Sequence, residues 1–225
     1  MSFDFQKFRQ GKLYDLLMGL PLVLWFTYGV IDLRPTLELD ARALLSEPGN
    51  LLFNLRFYAL FASAAFNLLG IYMIVMRSTP VRRSRGWLPR AFAIAGTFLG
   101  VGIIYLKPVT LSLGWQSVAA LLIFVGGTSS IIVLANLGKS YSIMPEARRL
   151  VTGGPYAFAR HPLYVAEIVT IIGSAIQFQQ PWAGLLALGV VGLLITRSRF
   201  EEQVLNEAYP EYAAYRARVK RFGFI

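Results

Sequence analysis

The chain has no cysteine and a single histidine, His161, among its 225 residues. Without cysteine there are no disulfides, no thiolate metal sites and no thiol nucleophile. One histidine argues against a histidine-rich metal centre, so no metal is expected. Charge is also scarce, at 15% of residues, where a soluble domain carries about 25%. Acidic residues are the scarcest of all, 12 against 22 basic, for a net charge of +10. What fills the space is apolar: 56% of residues are hydrophobic, and mean hydropathy is +0.54. Several apolar runs are long enough to cross or enter a bilayer, which marks an integral membrane protein.

The expected architecture is all-α and polytopic, four spans followed by a helical hairpin and an amphipathic C-terminal helix. The spans are Leu13–Leu33, Leu51–Met76, Ala91–Leu106 and Leu113–Leu137. The first is too long for a signal peptide and has no small-x-small site after it. Arg34–Asn50 reads as a polar loop. The third span, at ~24 Å, is short for a bilayer core. Leu163–Gln179 and Trp182–Arg197 form the hairpin, and Phe200–Arg221 a charged, tyrosine-rich helix at the surface. The whole is one membrane domain, with N-terminal spans over 1–125 and a core over 126–225.

The basic residues lie between the apolar runs. With the N-terminus inside, eighteen lysines and arginines fall on the inner side and four on the outer. This is the positive-inside pattern, not a groove for nucleic acid, so no nucleic-acid partner is expected. Both termini and the polar clusters are therefore expected to face the cytoplasm, with a bacterial inner membrane as the location.

Polar chemistry gathers in two places. The first is Gly153-Gly154-Pro155-Tyr156, followed by Arg160-His161-Pro162-Leu163-Tyr164. Pro162 suits the first turn of a helix, which puts Arg160 and His161 at its entrance and Tyr164 one turn in. Interfacial anchoring explains a tyrosine or an arginine alone, but not a His-Pro beside a Gly-Gly-Pro turn. The second is Glu201-Glu202, with Arg197 four residues before Glu201 and placed to pair with it. Glu167 is a carboxylate inside an apolar run. Such a group is costly, and two readings stand: it faces a ligand cavity, or it pairs with an arginine. Gly126-Gly127 in the fourth span reads as helix packing.

From about Gly126 to Val219 the order and spacing of these pieces resemble the isoprenylcysteine carboxyl methyltransferase and phospholipid methyltransferase superfamily of membrane enzymes. The matching pieces are Leu137-Gly138, Val151-Thr152-Gly153-Gly154-Pro155-Tyr156, Arg160-His161-Pro162-Leu163-Tyr164, Glu201-Glu202 and Tyr209-Pro210-Glu211-Tyr212. Ala166 stands where the family often has glycine. The resemblance implies a cleft near the cytosol that encloses S-adenosylmethionine. It implies cofactor contacts from Tyr156, His161, Tyr164, Glu201 and Glu202, and a lipophilic acceptor that arrives from among the membrane lipids.

The acceptor stays open at this point. A carboxylate acceptor annihilates charge against the sulfonium and needs a dry pocket. An amine must first lose a proton to a base, for which Glu167 and Glu202 are the candidates. Arg160 is placed to pair a carboxylate of cofactor or acceptor. Two other functions remain alternatives. One is an NADPH-dependent sterol-type reductase, with Arg197, Arg199, Arg216 and Arg218 as a phosphate clamp. The other is a non-catalytic lipid-binding membrane protein.

Overall fold

The computed structural model describes residues 11–223. It is all-α and polytopic. Among these described residues seven α-helices follow in order: α1 (Lys12–Ser46), α2 (Leu51–Met76), α3 (Leu88–Phe98), α4 (Leu113–Leu137), α5 (Pro162–Ile176), α6 (Trp182–Ala208) and α7 (Tyr212–Arg218). A 3-10 segment, Leu99–Tyr105, extends α3. Among the described residues, five helical stretches are long and apolar enough to cross a membrane, while α5 is shorter. Exposed leucines and aromatics such as Leu17, Leu24, Tyr58 and Phe61 cover the outside. That is the surface a bilayer solvates.

Three boundaries differ from the sequence expectations. Arg34–Asn50 is not a loop, because α1 runs unbroken to Ser46 with Pro21 and Pro35 inside it. The Arg34–Glu38 pair at 2.8 Å supports the extra turns locally. Asp40, buried against α2, takes Arg56 at 3.2 Å and holds them in place. The second hairpin arm is longer than Trp182–Arg197, since α6 continues to Ala208. The expected tail helix is consequently split. Its start, Phe200 to Ala208, belongs to α6, Pro210 lies in the break, and α7 resumes at Tyr212.

Asn50 caps α2 by accepting from the backbone N–H of Leu52 and Phe53. α1 and α2 pack as a hairpin, and α4 lies between α2 and α5. Gly126 permits the α4–α5 contact: a Cβ there would come within 2.7 Å of the Thr170 backbone nitrogen. The core joins Leu22, Phe26, Met73, Ile74, Val133 and Leu134 of the three N-terminal long helices with Tyr141 and Leu163 near the loop. α3 packs instead on α6. Beyond α2, Arg82–Arg83 pairs antiparallel with Glu146–Ala147, which fastens the basic loop to the segment leading into the polar cluster.

Candidate active site

Three elements bring the polar residues together. The loop between α4 and α5 supplies Tyr156, Arg160 and His161; α5 supplies Tyr164; and α6, past its apolar stretch, supplies Glu201 and Glu202. Gly154 shapes this loop. Its φ is +59°, and a Cβ there would strike the Asn136 side chain. The Gly-Pro turn is thus demanded by the backbone whatever the ligand.

The ring of His161 stacks on Tyr164 at 5.2 Å. The Tyr164 hydroxyl donates to Glu201 Oε1 at 2.5 Å, and Arg197 Nε donates to the same oxygen at 3.0 Å. The pairing of Arg197 with Glu201 expected from their spacing is therefore formed. Arg197 also lies over the Tyr164 ring, 5.2 Å from its centroid.

Glu202 is held differently. His161 Nε2 lies 3.2 Å from its Oε1, and Arg160 Nε donates to that oxygen at 3.0 Å. Arg221 grips both oxygens at 2.9 Å. Burial pushes this carboxyl up. The hydrogen bonds from His161 and Arg221, and the nearby cationic charge, outweigh burial and hold it below the usual carboxylate range. With only 4% exposure and three side chains on two oxygens, Glu202 is a tie between loop, α6 and tail. It has no room to act as the base proposed from sequence.

The tail closes over the loop. Arg160 and His161 donate their backbone N–H groups to the carbonyls of Lys220 and Arg221. The Arg160 guanidinium reaches the carbonyl of Val219 at 2.6 Å. The Tyr215 hydroxyl donates to the Tyr156 carbonyl at 2.6 Å. Burial pushes Tyr215 up to about 12, so it stays a donor at neutral pH.

Tyr156, Arg160, His161, Tyr164 and Glu201 all line one cleft; Glu202 sits behind it. Two further residues in its wall carry buried polar atoms without a partner among the described residues: Arg148 Nε and the Tyr212 hydroxyl. Neither was singled out from sequence. Arg148 belongs to a buried cluster that sequence reasoning missed. It donates to Asp15 Oδ1 at 2.7 Å and to Glu146 Oε2 at 2.6 Å, and Arg77 holds the other Asp15 oxygen at 2.8 Å. Asp15, a carboxylate near the start of an apolar run, was the available signal.

Glu167 is elsewhere. It faces a second cavity of about 370 Å³ among the membrane helices, whose other polar lining residues include Ser63, Asn67, Ser130, Thr170 and the cation Arg197. No hydrogen bond or ion pair to Glu167 forms among the described residues. Of its two readings, the cavity-facing one is the observed one. Tyr141, Leu163 and Arg197 line both spaces, so cleft and chamber share a wall. Trp25 of α1 meets Phe98 of α3 edge-on at 5.4 Å beside the chamber.

Comparison with known proteins adds a family. Residues 115–212 match the family described as phospholipid methyltransferase, part of the isoprenylcysteine carboxyl methyltransferase-like superfamily. The nickel-cobalt-cadmium resistance protein NccN of Alcaligenes xylosoxydans xylosoxydans is 29% identical over 129 residues, 54% of this chain and 60% of that protein. The cobalt-zinc-cadmium resistance protein CzcN of Cupriavidus metallidurans is 33% identical over 96 residues, 40% of this chain and 44% of that protein. The matches thus cover less than two thirds of either relative. The matched stretch of this chain takes in α4, α5, α6 and the loop that builds the cleft.

Proposed function

Starting from a membrane methyltransferase pattern in residues 115–212, we propose that the chain moves a methyl group from S-adenosylmethionine, held in the cleft, to a lipophilic acceptor held in the chamber. The observation that carries this reading is the shared wall. A polar cleft and an apolar chamber meet at Tyr141, Leu163 and Arg197, which is what a reaction between a polar donor and a lipid-soluble acceptor requires.

The cleft residues fit the cofactor. The carboxylate of Glu201 on the cleft wall suits a cationic sulfonium or ammonium. The unpartnered Arg148 Nε and Tyr212 hydroxyl supply donors for its carboxylate and ribose oxygens. When bound, the cofactor supplies an electrophilic methyl group. The chain's part is to orient it, exclude water and hold the acceptor in line. His161 and Arg160 are assigned to positioning, through Glu202 and the tail.

Glu167 distinguishes between acceptors. A carboxylate acceptor in the chamber would face a like charge that Arg197, already bonded to Glu201, offsets only in part. An acceptor with a proton to lose, an amine above all, would meet a base. We assign Glu167 that role, with entry from the bilayer. The positive-inside count supports a cytoplasmic position for the cleft.

The deciding experiment is calorimetric titration of the purified chain with S-adenosylmethionine and, separately, with NADPH. Saturable binding of the first alone is expected. Binding of NADPH alone would support the reductase reading, and binding of neither a non-catalytic protein.

A further inference from the structure

A second polar cavity, of about 370 Å³, lies on the far side of α6 from the cleft. One wall is the turn that leads into α3, with Ser84, Arg85 and Trp87; the other is Phe200, Gln203 and Glu207 of α6. It takes no part in the chemistry above. We propose that it binds the phosphate group of a membrane phospholipid.

Four observations converge. The first turn of α3 has no side-chain cap, so the backbone N–H of Leu88 presents positive partial charge to the cavity, Pro89 beside it having none. Ser84 lines the same space and is buried, at 8% exposure, yet its hydroxyl has no partner among the described residues. Arg85, exposed at the mouth, has neither an ion pair nor a hydrogen bond there. The carboxylate in the wall, Glu207, does not oppose an anion at full strength, since Arg82 holds it at 2.7 Å. Together these are a helix terminus, an unpartnered hydroxyl and a free guanidinium around one space, which is a donor set a phosphate takes.

The surroundings point to a lipid as the source of that phosphate. Trp87 is 75% exposed, and Val81 and Leu88 beside it are exposed as well. The turn sits where apolar α3 begins, so one side of the cavity meets the headgroup layer and the other the acyl chains. A water-soluble anion would gain nothing from this apolar rim.

The test uses the full chain in a neutral detergent and phosphatidylglycerol as the probe, with bound lipid counted by native mass spectrometry. Wild type is expected to retain phosphatidylglycerol. Arg85→Glu should weaken retention on the order of tenfold or more. Arg90→Glu, an exposed arginine nearby but outside the cavity, should leave it close to wild type. Circular dichroism checks that the variants keep their helices; should Arg85→Glu lose them, Arg85→Gln takes its place, with the same loss of retention expected. Equal weakening by the Arg85 and Arg90 variants would reduce the effect to general surface charge and overturn the proposal. So would displacement of the lipid by an equal concentration of inorganic phosphate, which would mark a free-anion site. Retention by the Arg85 variant equal to wild type would overturn it outright.

Discussion

The cleft and the chamber are separated by three side chains and treat charge in opposite ways. In and behind the cleft every carboxylate has cationic partners: Glu201 has Arg197, Glu146 has Arg148, and Glu202 has Arg160 and Arg221. In the chamber Glu167 has hydroxyl and amide neighbours, and the cation in the wall, Arg197, is bonded to Glu201 instead. Paired charges fix geometry and give the cleft its shape. An unpaired carboxylate among membrane helices has no such structural use, and it is kept at a cost. The contrast separates residues that build the cleft from the carboxylate to which the proposed reaction assigns the base.

The strongest way to break this contrast is Glu167→Gln. The amide keeps the shape of the chamber and removes the base. Methyl transfer to an amine acceptor should fall by about 10²–10⁴-fold with cofactor affinity unchanged. An undiminished rate with labelled cofactor would return Glu167 to a packing role.

Glu202 should report on construction. Glu202→Ala leaves Arg160, Arg221 and His161 facing one another around a buried gap. The expected loss is about 3–5 kcal/mol of stability, read as a lower Tm of the cofactor-free protein in detergent. An unchanged Tm would mean that the tail is not fastened through this residue.

Glu201→Gln sharpens the difference between the two adjacent carboxylates. One face of Glu201 lines the cleft, so the variant should lose cofactor affinity by roughly tenfold to a hundredfold by calorimetry. Its Tm should drop less than that of the Glu202 variant. From sequence the two glutamates read as equivalent ligands. Their separation comes from the turn of α6, which aims one into the cleft and the other at Arg221.

The smallest effect belongs to the far end of α1. Arg34→Gln breaks an ion pair that is exposed on both sides and should leave Tm unmoved. A clear drop would show that the extended part of α1 depends on that pair.

These cases also mark what could be read from the chain. Apolar runs set the spans because lipid leaves a helix no alternative for its backbone groups. The gathering of Tyr156, His161, Tyr164 and Glu201 followed from motif order and from the hairpin's closure on itself. The polar stretch after Leu33 was misread because polarity resembles a loop, whereas its leucines, alanines and Arg34–Glu38 pair continue a helix. Asp15, Arg77 and Arg148 were illegible as a unit, since they meet only when α1, α2 and the loop pack. Arg221 likewise shows its role only once the tail lies against the loop.

That arrangement bears on how the protein is made. The loop carrying Arg160 and His161 leaves the ribosome well before the carbonyls of Lys220 and Arg221 that satisfy its two backbone N–H groups. α5 and α6 are therefore synthesised while the cleft still lacks its cover. The nascent protein acquires its membrane anchorage first and the finished wall of its cleft last.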